Sequence, residues 1–357
     1  MSKLKKIIIT GGAGFIGSAL IRYLTNESTF EVLNIDALKY SANLSSLTSV
    51  KNLKNYSFIK EDICHEKNIL KIISNFKPNI IINLAAESHV DRSIENPLPF
   101  INSNILGTFN ILNCAYRYWK TLDNKSKNNF LFHQVSTDEV YGDIEKNDLP
   151  CDESVAYNPS SPYAASKASS DHLVRSWSRT YDFPVVVTNC SNNYGPFQFP
   201  EKFIPHIIIS AIKGNKIPIY GNGEQSRDWI HVEDHIKALK EVFLRGKVGE
   251  TYNIGGNNEV KNIDTAKIVC NFLDDILPSK PLNLNSYSDL IYFVKDRPGH
   301  DKRYAINSKK IKIDTGWTAR ESFETGLKKT IKWYVDNSIW WEKIIENKYD
   351  LKRIGKI

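Results

Sequence analysis

Residues 5–24 read KKIIITGGAGFIGSALIRYL, and their reading decides the fold. Lys5 to Thr10 is a short apolar strand, Gly11-Gly12-Ala13-Gly14-Phe15-Ile16-Gly17 is a glycine-rich turn, and Ser18 to Leu24 has helical composition. Strand, turn and helix in this order cradle a phosphate. Gly11 permits the tight turn, Gly14 lets the backbone approach a pyrophosphate, Gly17 lets the helix pack on the strand, and the helix N-terminus faces the anion. A glycine fingerprint alone is weak and can be a merely structural turn. Here a second strand, Glu31 to Ile35, ends in Asp36, nineteen residues after Gly17. A carboxylate there accepts hydrogen bonds from an adenosine ribose and repels a 2′-phosphate, so the expected cofactor is NAD ahead of NADP.

Working outward, strands are expected at Ser57–Lys60, Ile80–Leu84, Phe130–Val135 and Val185–Asn189, with helical spacing from Asn102 to Tyr118 and from Pro162 to Tyr181. Alternating strand and helix implies an α/β chain with a Rossmann-type doubly wound parallel sheet. After Asn192-Asn193-Tyr194-Gly195-Pro196 the text becomes irregular, rich in Pro, Gly and aromatic residues. Residues 1–195 therefore read as the dinucleotide-binding domain, with 229–257 packing back on it, and 196–357 mainly as a smaller C-terminal substrate-binding lobe. In the second part helices are expected at Phe203–Lys213, Val232–Leu244, Thr265–Leu273 and Phe323–Val335, with a strand at Thr251–Ile254.

The stretch Ser136-Thr137-Asp138-Glu139-Val140-Tyr141-Gly142 follows an apolar strand, so its two carboxylates leave the sheet where ligands of such folds bind. Paired acid and base is one reading. The other is a helix capping box, with Ser136 bonding the third amide and Glu139 reaching back. Tyr163 and Lys167 stand at i and i+4 on one helix face. For Tyr to act as a base near neutral pH its pKa must fall by roughly three units, about 4 kcal/mol. A cation about 4 Å away contributes about 4 kcal/mol at an effective dielectric near 20, so the lysine is sufficient. Read alone, the same pair would be surface decoration.

The 357 residues carry a formal charge of +7 with scattered basic side chains, which suits an anionic small molecule and gives no nucleic-acid surface. Cys64, Cys114, Cys151, Cys190 and Cys270 show no CxxC or Cys/His spacing, so neither a disulfide framework nor a metal site is expected. No apolar run approaches a membrane span, and no secretion signal is read, so the expected location is cytoplasmic.

Nearly the whole chain resembles the extended short-chain dehydrogenase/reductase superfamily and, within it, the dTDP-glucose 4,6-dehydratases. The resemblance rests on the Gly11–Gly17 fingerprint, Asn83–Ile94 (NLAAESHVDRSI), STDEVYG, Tyr163 with Lys167, Cys190–Pro205 (CSNNYGPFQFPEKFIP), Gly223–Asp234 (GEQSRDWIHVED), Tyr252–Gly256 and Asp296–Tyr304 (DRPGHDKRY). The Asp-Glu pair sets it apart from sugar-nucleotide epimerases. The resemblance implies oxidation at sugar C4, loss of water across C5 and C6, and return of hydride to C6. It implies that Tyr163, helped by Lys167 and Thr137, is the oxidation base, Asp138 the acid and Glu139 the C5 base. By the same carry-over Gly11, Gly14, Phe15, Ile16, Gly17, Asp36, Asp62, Ile63, Leu84, Ala86, Ser103, Tyr163, Lys167 and Asn193 line the NAD site. Ser88, Thr137, Asn192, Arg227, Asn262, Arg297 and His300 hold the nucleotide sugar, and a homodimer forms through the helices near 102–118 and 161–180. UDP-glucose or UDP-N-acetylglucosamine as substrate, or a non-catalytic NAD-binding scaffold, are the competing readings. Two departures stand out: Ala37-Leu38-Lys39-Tyr40-Ser41-Ala42-Asn43 where the family has Lys-Leu-Thr-Tyr-Ala-Gly-Asn, and Ser103 where Thr is frequent.

Overall fold

A computed structural model describes residues 4–277, 279–281 and 284–351. Its centre is a seven-stranded parallel sheet. The strands, numbered along the chain, are β1 (Lys5–Thr10), β2 (Phe30–Asp36), β3 (Tyr56–Lys60), β4 (Ile80–Asn83), β5 (Leu131–Thr137) and β6 (Val185–Cys190). They continue with β7 (Asn192–Tyr194), β8 (Ile217–Tyr220), β9 (Ser226–His231), β10 (Thr251–Ile254), β11 (Glu259–Lys261), β12 (Ile291–Val294) and β13 (Arg303–Tyr304). The sheet order is β10-β6-β5-β4-β1-β2-β3. Strand order reverses between β1 and β4, so a crevice opens beyond their carboxyl ends, the place where such sheets bind ligands.

Side-chain alternation explains the unbroken isoleucines of β1. Ile7 and Ile9 enter the core against helices Phe15–Thr25 and Val232–Arg245, through Leu20, Ile21, Leu24, Leu239 and Val242. Ile8 enters the opposite core with Ile69, Ile73, Ile111 and Leu112 of helices Glu66–Phe76 and Gly107–Lys120. A parallel strand buried on both faces needs apolar side chains on both.

The segment expected to be one helix from Asn102 begins as a π-helical stretch, Ile101–Leu106, before regular α-helix at Gly107–Lys120. Asn104 lies in that wide turn, where its amide donates to the Glu87 carbonyl at 3.0 Å and to the Ser166 hydroxyl at 2.8 Å. Mid-helix π turns are frequently found at functional sites.

Thr251–Ile254 pairs in parallel with β6 at the sheet edge. The remaining strands form a separate sheet, β11-β9-β13 with β7 beside β9, and a β8–β12 pair. These short strands, β8, β9 and β11–β13, were not legible beforehand. They pack a second core around Ile207, Ile208, Trp229, Leu273, Leu327 and Tyr334 from helices Phe203–Ile212, Asn262–Ile276 and Phe323–Asp336. Among the described residues no helix is long and apolar enough to cross a membrane.

Candidate active site

The turn after β1 is built as a phosphate cradle. Gly11 has φ +69°, and a Cβ there would lie 2.7 Å from the Ala85 amide nitrogen. A Cβ on Gly17 would meet the Gly11 carbonyl oxygen at 2.4 Å, so strand and helix approach more closely than any side chain allows. Gly14 precedes helix Phe15–Thr25 with no side-chain cap and no acidic residue in the first turn. The helix therefore presents free amides and a positive dipole end. At the end of β2, Asp36 accepts the amides of Ala13 at 2.9 Å and Leu38 at 2.7 Å, which aims its carboxylate. Burial raises its pKa, and those two amides and Lys39 oppose the rise.

A cavity of about 300 Å³ runs from this cradle to the end of β5. Every residue assigned from the sequence to a dinucleotide lines it: Gly11, Gly14, Phe15, Ile16, Gly17, Asp36, Asp62, Ile63, Leu84, Ala86, Ser103, Tyr163, Lys167 and Asn193. The two departures from the family meet here. Lys39 donates to the Ser103 hydroxyl at 2.9 Å and pairs with Asp62 at 3.0 Å. The loop that carries Lys39 is fastened from the other side by Lys348, which donates to the Ala42 carbonyl at 2.7 Å.

A second cavity of about 240 Å³ is lined by Arg227, Asn262, Arg297 and His300. Ser88, Glu139 and Asn192 belong to both cavities, while Thr137 lines the first. Arg227 is 5% exposed and lies 4.3 Å over the Tyr304 ring. It donates to the carbonyls of Ser226 and Asp301 at 2.8 Å each, which leaves part of its five-donor fork uncommitted. Arg297 pairs with Asp91 at 3.4 Å. His300 accepts or donates at 2.6 Å to Asp296, and burial together with Arg297 and Arg227 holds its pKa down at about 4, so the ring is neutral at neutral pH.

Between the cavities sits the end of β5. Thr137 caps the short 3-10 helix Asp138–Tyr141 by accepting the Glu139 amide at 3.3 Å. The capping-box reading of Ser136 and Glu139 does not hold, because the Ser136 hydroxyl donates instead to Asp171 at 2.6 Å. Glu139 is thereby free to face both cavities. Gly142 closes the turn at φ +79°, where a Cβ would strike the Asn158 carbonyl oxygen at 2.0 Å.

The two carboxylates differ in setting. Asp138 is 2% exposed and one of its oxygens lacks a hydrogen-bond partner. Burial, then the neighbouring Glu139 charge, raises its pKa well above the ordinary value, which favours its protonated form. Burial also raises Glu139, but Arg297, Arg227 and Lys202 oppose the rise. One acid and one base are thus favoured at adjacent positions.

Tyr163 packs edge-on against Phe100 at 6.3 Å and has Thr137 as a hydrogen-bond partner that favours its ionised form. Among the protein's own groups Lys167 does not offset the burial of this tyrosine; an oxidised nicotinamide would add to its pull. Burial raises Tyr163, and the Glu139 charge adds to the rise. The Lys167 ammonium donates to the Val135 carbonyl at 2.7 Å, and burial lowers its own pKa. Coulomb attraction between the pair in a polarisable medium does not include the cost of burying both groups.

Lys202 was not singled out from the sequence. It lines both cavities, donates to the Ser88 carbonyl at 2.7 Å and contributes positive charge beside Glu139. Its only signal was a lysine set among prolines and aromatics in Pro196–Pro205. Among the described residues no group of three His, Cys, Asp or Glu side chains could hold a metal ion.

A doubly wound sheet with a glycine cradle, an aimed Asp36 and a Tyr/Lys helix beside paired carboxylates defines an extended short-chain dehydrogenase/reductase. A family model described as GDP-mannose 4,6 dehydratase matches residues 8–330. The chain is 53% identical over 360 residues to a dTDP-glucose 4,6-dehydratase of Escherichia coli, covering 99% of each chain. It is 51% identical over 352 residues to that of Neisseria meningitidis serogroup B, again with 99% of each covered. The crystal structure of dTDP-glucose 4,6-dehydratase from Bacillus anthracis in complex with NAD matches with a TM-score of 0.84 and 40% identity, over 95% of this chain and 99% of that one. The chain belongs to the dTDP-glucose 4,6-dehydratase family.

Proposed function

We propose that the protein is an NAD-dependent nucleotide-sugar 4,6-dehydratase, a carbon–oxygen lyase that converts dTDP-glucose to dTDP-4-keto-6-deoxyglucose. The observation that carries this reading is the placement of Glu139 at the wall shared by a dinucleotide cavity and a cationic one, with Asp138 beside it lining the first. The family model bears the name of GDP-mannose, but identity of about half over the full length is to dTDP-glucose enzymes, and that decides the sugar nucleotide.

The residues present fit NAD: the uncapped helix start after Gly14 and a buried, aimed Asp36 match a pyrophosphate and an unphosphorylated ribose. NAD supplies the acceptor that takes a hydride from sugar C4 and gives it back at C6. Tyr163 removes the 4-hydroxyl proton, with Thr137 holding that hydroxyl and Lys167 supplying positive charge. The resulting 4-ketone acidifies C5–H. Glu139 removes that proton and Asp138 protonates the departing 6-hydroxyl. Arg227 and Arg297 hold the pyrophosphate as charge-assisted donors, with Asn262, His300, Ser88, Asn192 and Lys202 around the rest of the sugar nucleotide. In this reading residues 196–357 serve mainly as the substrate lobe.

One assay tests the reading as a whole: dTDP-glucose, UDP-glucose and UDP-N-acetylglucosamine, each supplied with NAD or NADP, followed for the 4-keto product. The expected result is turnover of dTDP-glucose with NAD. Equal turnover of a UDP sugar would overturn the substrate, and equal support by NADP would overturn the part given to Asp36.

We also propose a homodimer. Leu98, Ile101, Leu106, Phe109 and Tyr181 are exposed apolar side chains on or at the ends of the helices around 98–120 and 162–181. Exposed apolar side chains along these two helices suit burial against a second copy. Sedimentation at micromolar concentration should give the dimer mass, and a monomer would remove the proposal.

A further inference from the structure

Behind the end of β5 lies a set of polar groups to which the chemistry assigns nothing and of which only Ser136 lines either cavity. Its centre is Asp171, fully buried, one helical turn beyond Lys167 and lining neither cavity. Ser136 donates to one of its oxygens at 2.6 Å and Tyr157 to the same oxygen at 3.2 Å. The Tyr157 hydroxyl in turn accepts from Arg175 at 2.5 Å and from Asn189 at 2.9 Å. The other Asp171 oxygen has no hydrogen-bond partner.

Three consecutive residues of β5 are held from this side. Lys167 donates to the Val135 carbonyl, Ser136 donates to Asp171, and Asn189 donates to the Thr137 carbonyl at 3.3 Å. The next residues are Asp138 and Glu139. A buried carboxylate is costly unless charge and hydrogen bonds compensate it, so a plain structural role would be met more cheaply by an apolar or amide side chain. Along the helix Lys167, Asp171 and Arg175 alternate in sign at successive turns.

We propose that Asp171 is a positioning residue of the dehydratase reaction: its buried carboxylate lies one helical turn beyond Lys167 and, through Ser136, fixes the strand end that carries Thr137, Asp138 and Glu139. The inference rests on the dehydratase reading. Burial pushes Lys167 to lose its proton, and Asp171 is the largest influence against that loss. From β6 only the Cys190 thiol faces the lysine as a titrating neighbour, and burial holds that thiol's pKa at about 12. Facing Asp171 are Lys167, Arg175, Tyr157 and Tyr141.

The test follows reduction of the bound nicotinamide in a single turnover of the holoenzyme with sugar nucleotide across pH. The rate depends on a charged Lys167, so it falls on the alkaline side as that lysine titrates. In Asp171→Asn the alkaline limb should move down by about one pH unit or more, with roughly a tenfold loss above it. Asp171→Glu, which keeps the charge, should return the limb toward its original position. Arg175→Met removes the competing cation one helical turn beyond Asp171 and should move the limb upward; it keeps the test open if Asp171→Asn does not fold. A limb unmoved in Asp171→Asn, or in Arg175→Met, would overturn the inference even if the rate were lower at every pH. Absence of 4-keto product from the unaltered protein would instead overturn the dehydratase reading.

Discussion

Tyr163→Phe is expected to fold, to bind NAD and to lose at least about 10²-fold in turnover, the usual scale for a lost acid–base group. The substitution keeps the ring that packs on Phe100 and removes only the hydroxyl beside Thr137. Its main-chain amide, which donates to the Ser93 hydroxyl at 3.2 Å, is untouched. The loss should fall on hydride removal from C4, visible as failure of the nicotinamide absorbance to rise when substrate is mixed with the holoenzyme. Because burial raises this tyrosine, the ionised form must be bought from Thr137, Lys167 and the positive charge of the oxidised nicotinamide together. The acid limb of the unaltered protein's rate profile should accordingly rise with pH as Tyr163 ionises. Retention of more than about a tenth of the original turnover by Tyr163→Phe would mean that another group is the base.

The second large effect separates the paired carboxylates. Asp138→Asn should still oxidise C4 and exchange the C5 hydrogen with solvent, yet eliminate water at least about 10²-fold more slowly. Its carboxyl, raised by burial and by the Glu139 charge, holds its proton to higher pH than a free aspartic acid, and the acid role is lost as pH rises through that raised value. Glu139→Gln should oxidise C4 but leave C5 unlabelled, since an amide cannot remove the proton. Each variant is incubated with substrate in heavy water and C5 is followed by NMR and mass spectrometry. Normal C5 exchange in Glu139→Gln would reverse the division of labour. It could not be explained by restoring Glu139 to a cap, because Thr137 already caps that helix.

The first half of the fold was legible because its signals are local. The isoleucines of β1 and β4, the glycine turn and the Pro162–Tyr181 helix each state their structure within a few residues, and β10 was read as a strand at Thr251–Ile254. The strands β8, β9 and β11–β13 have two to six residues each and are stabilised by partners far along the chain, such as Tyr304 beside Arg227. Period alone cannot reveal such pairings. The site was legible where motifs were dense, whereas Lys202 acquires its meaning only when its ammonium is brought to Ser88. The Tyr163–Lys167 pair shows the other limit: i and i+4 spacing places both groups on one helix face, but desolvation is a property of everything packed around them.

The common wall of the two cavities, made by Ser88, Glu139, Asn192, Asn193, Gln198 and Lys202, has a kinetic consequence. In the proposed reaction the sugar nucleotide would occupy one chamber and the dinucleotide the other, so product exchange need not disturb the dinucleotide's cradle. The steady-state rate law is then that of a one-substrate reaction, hyperbolic in sugar nucleotide. Once the holoenzyme is formed, flux is insulated from the surrounding ratio of oxidised to reduced cofactor.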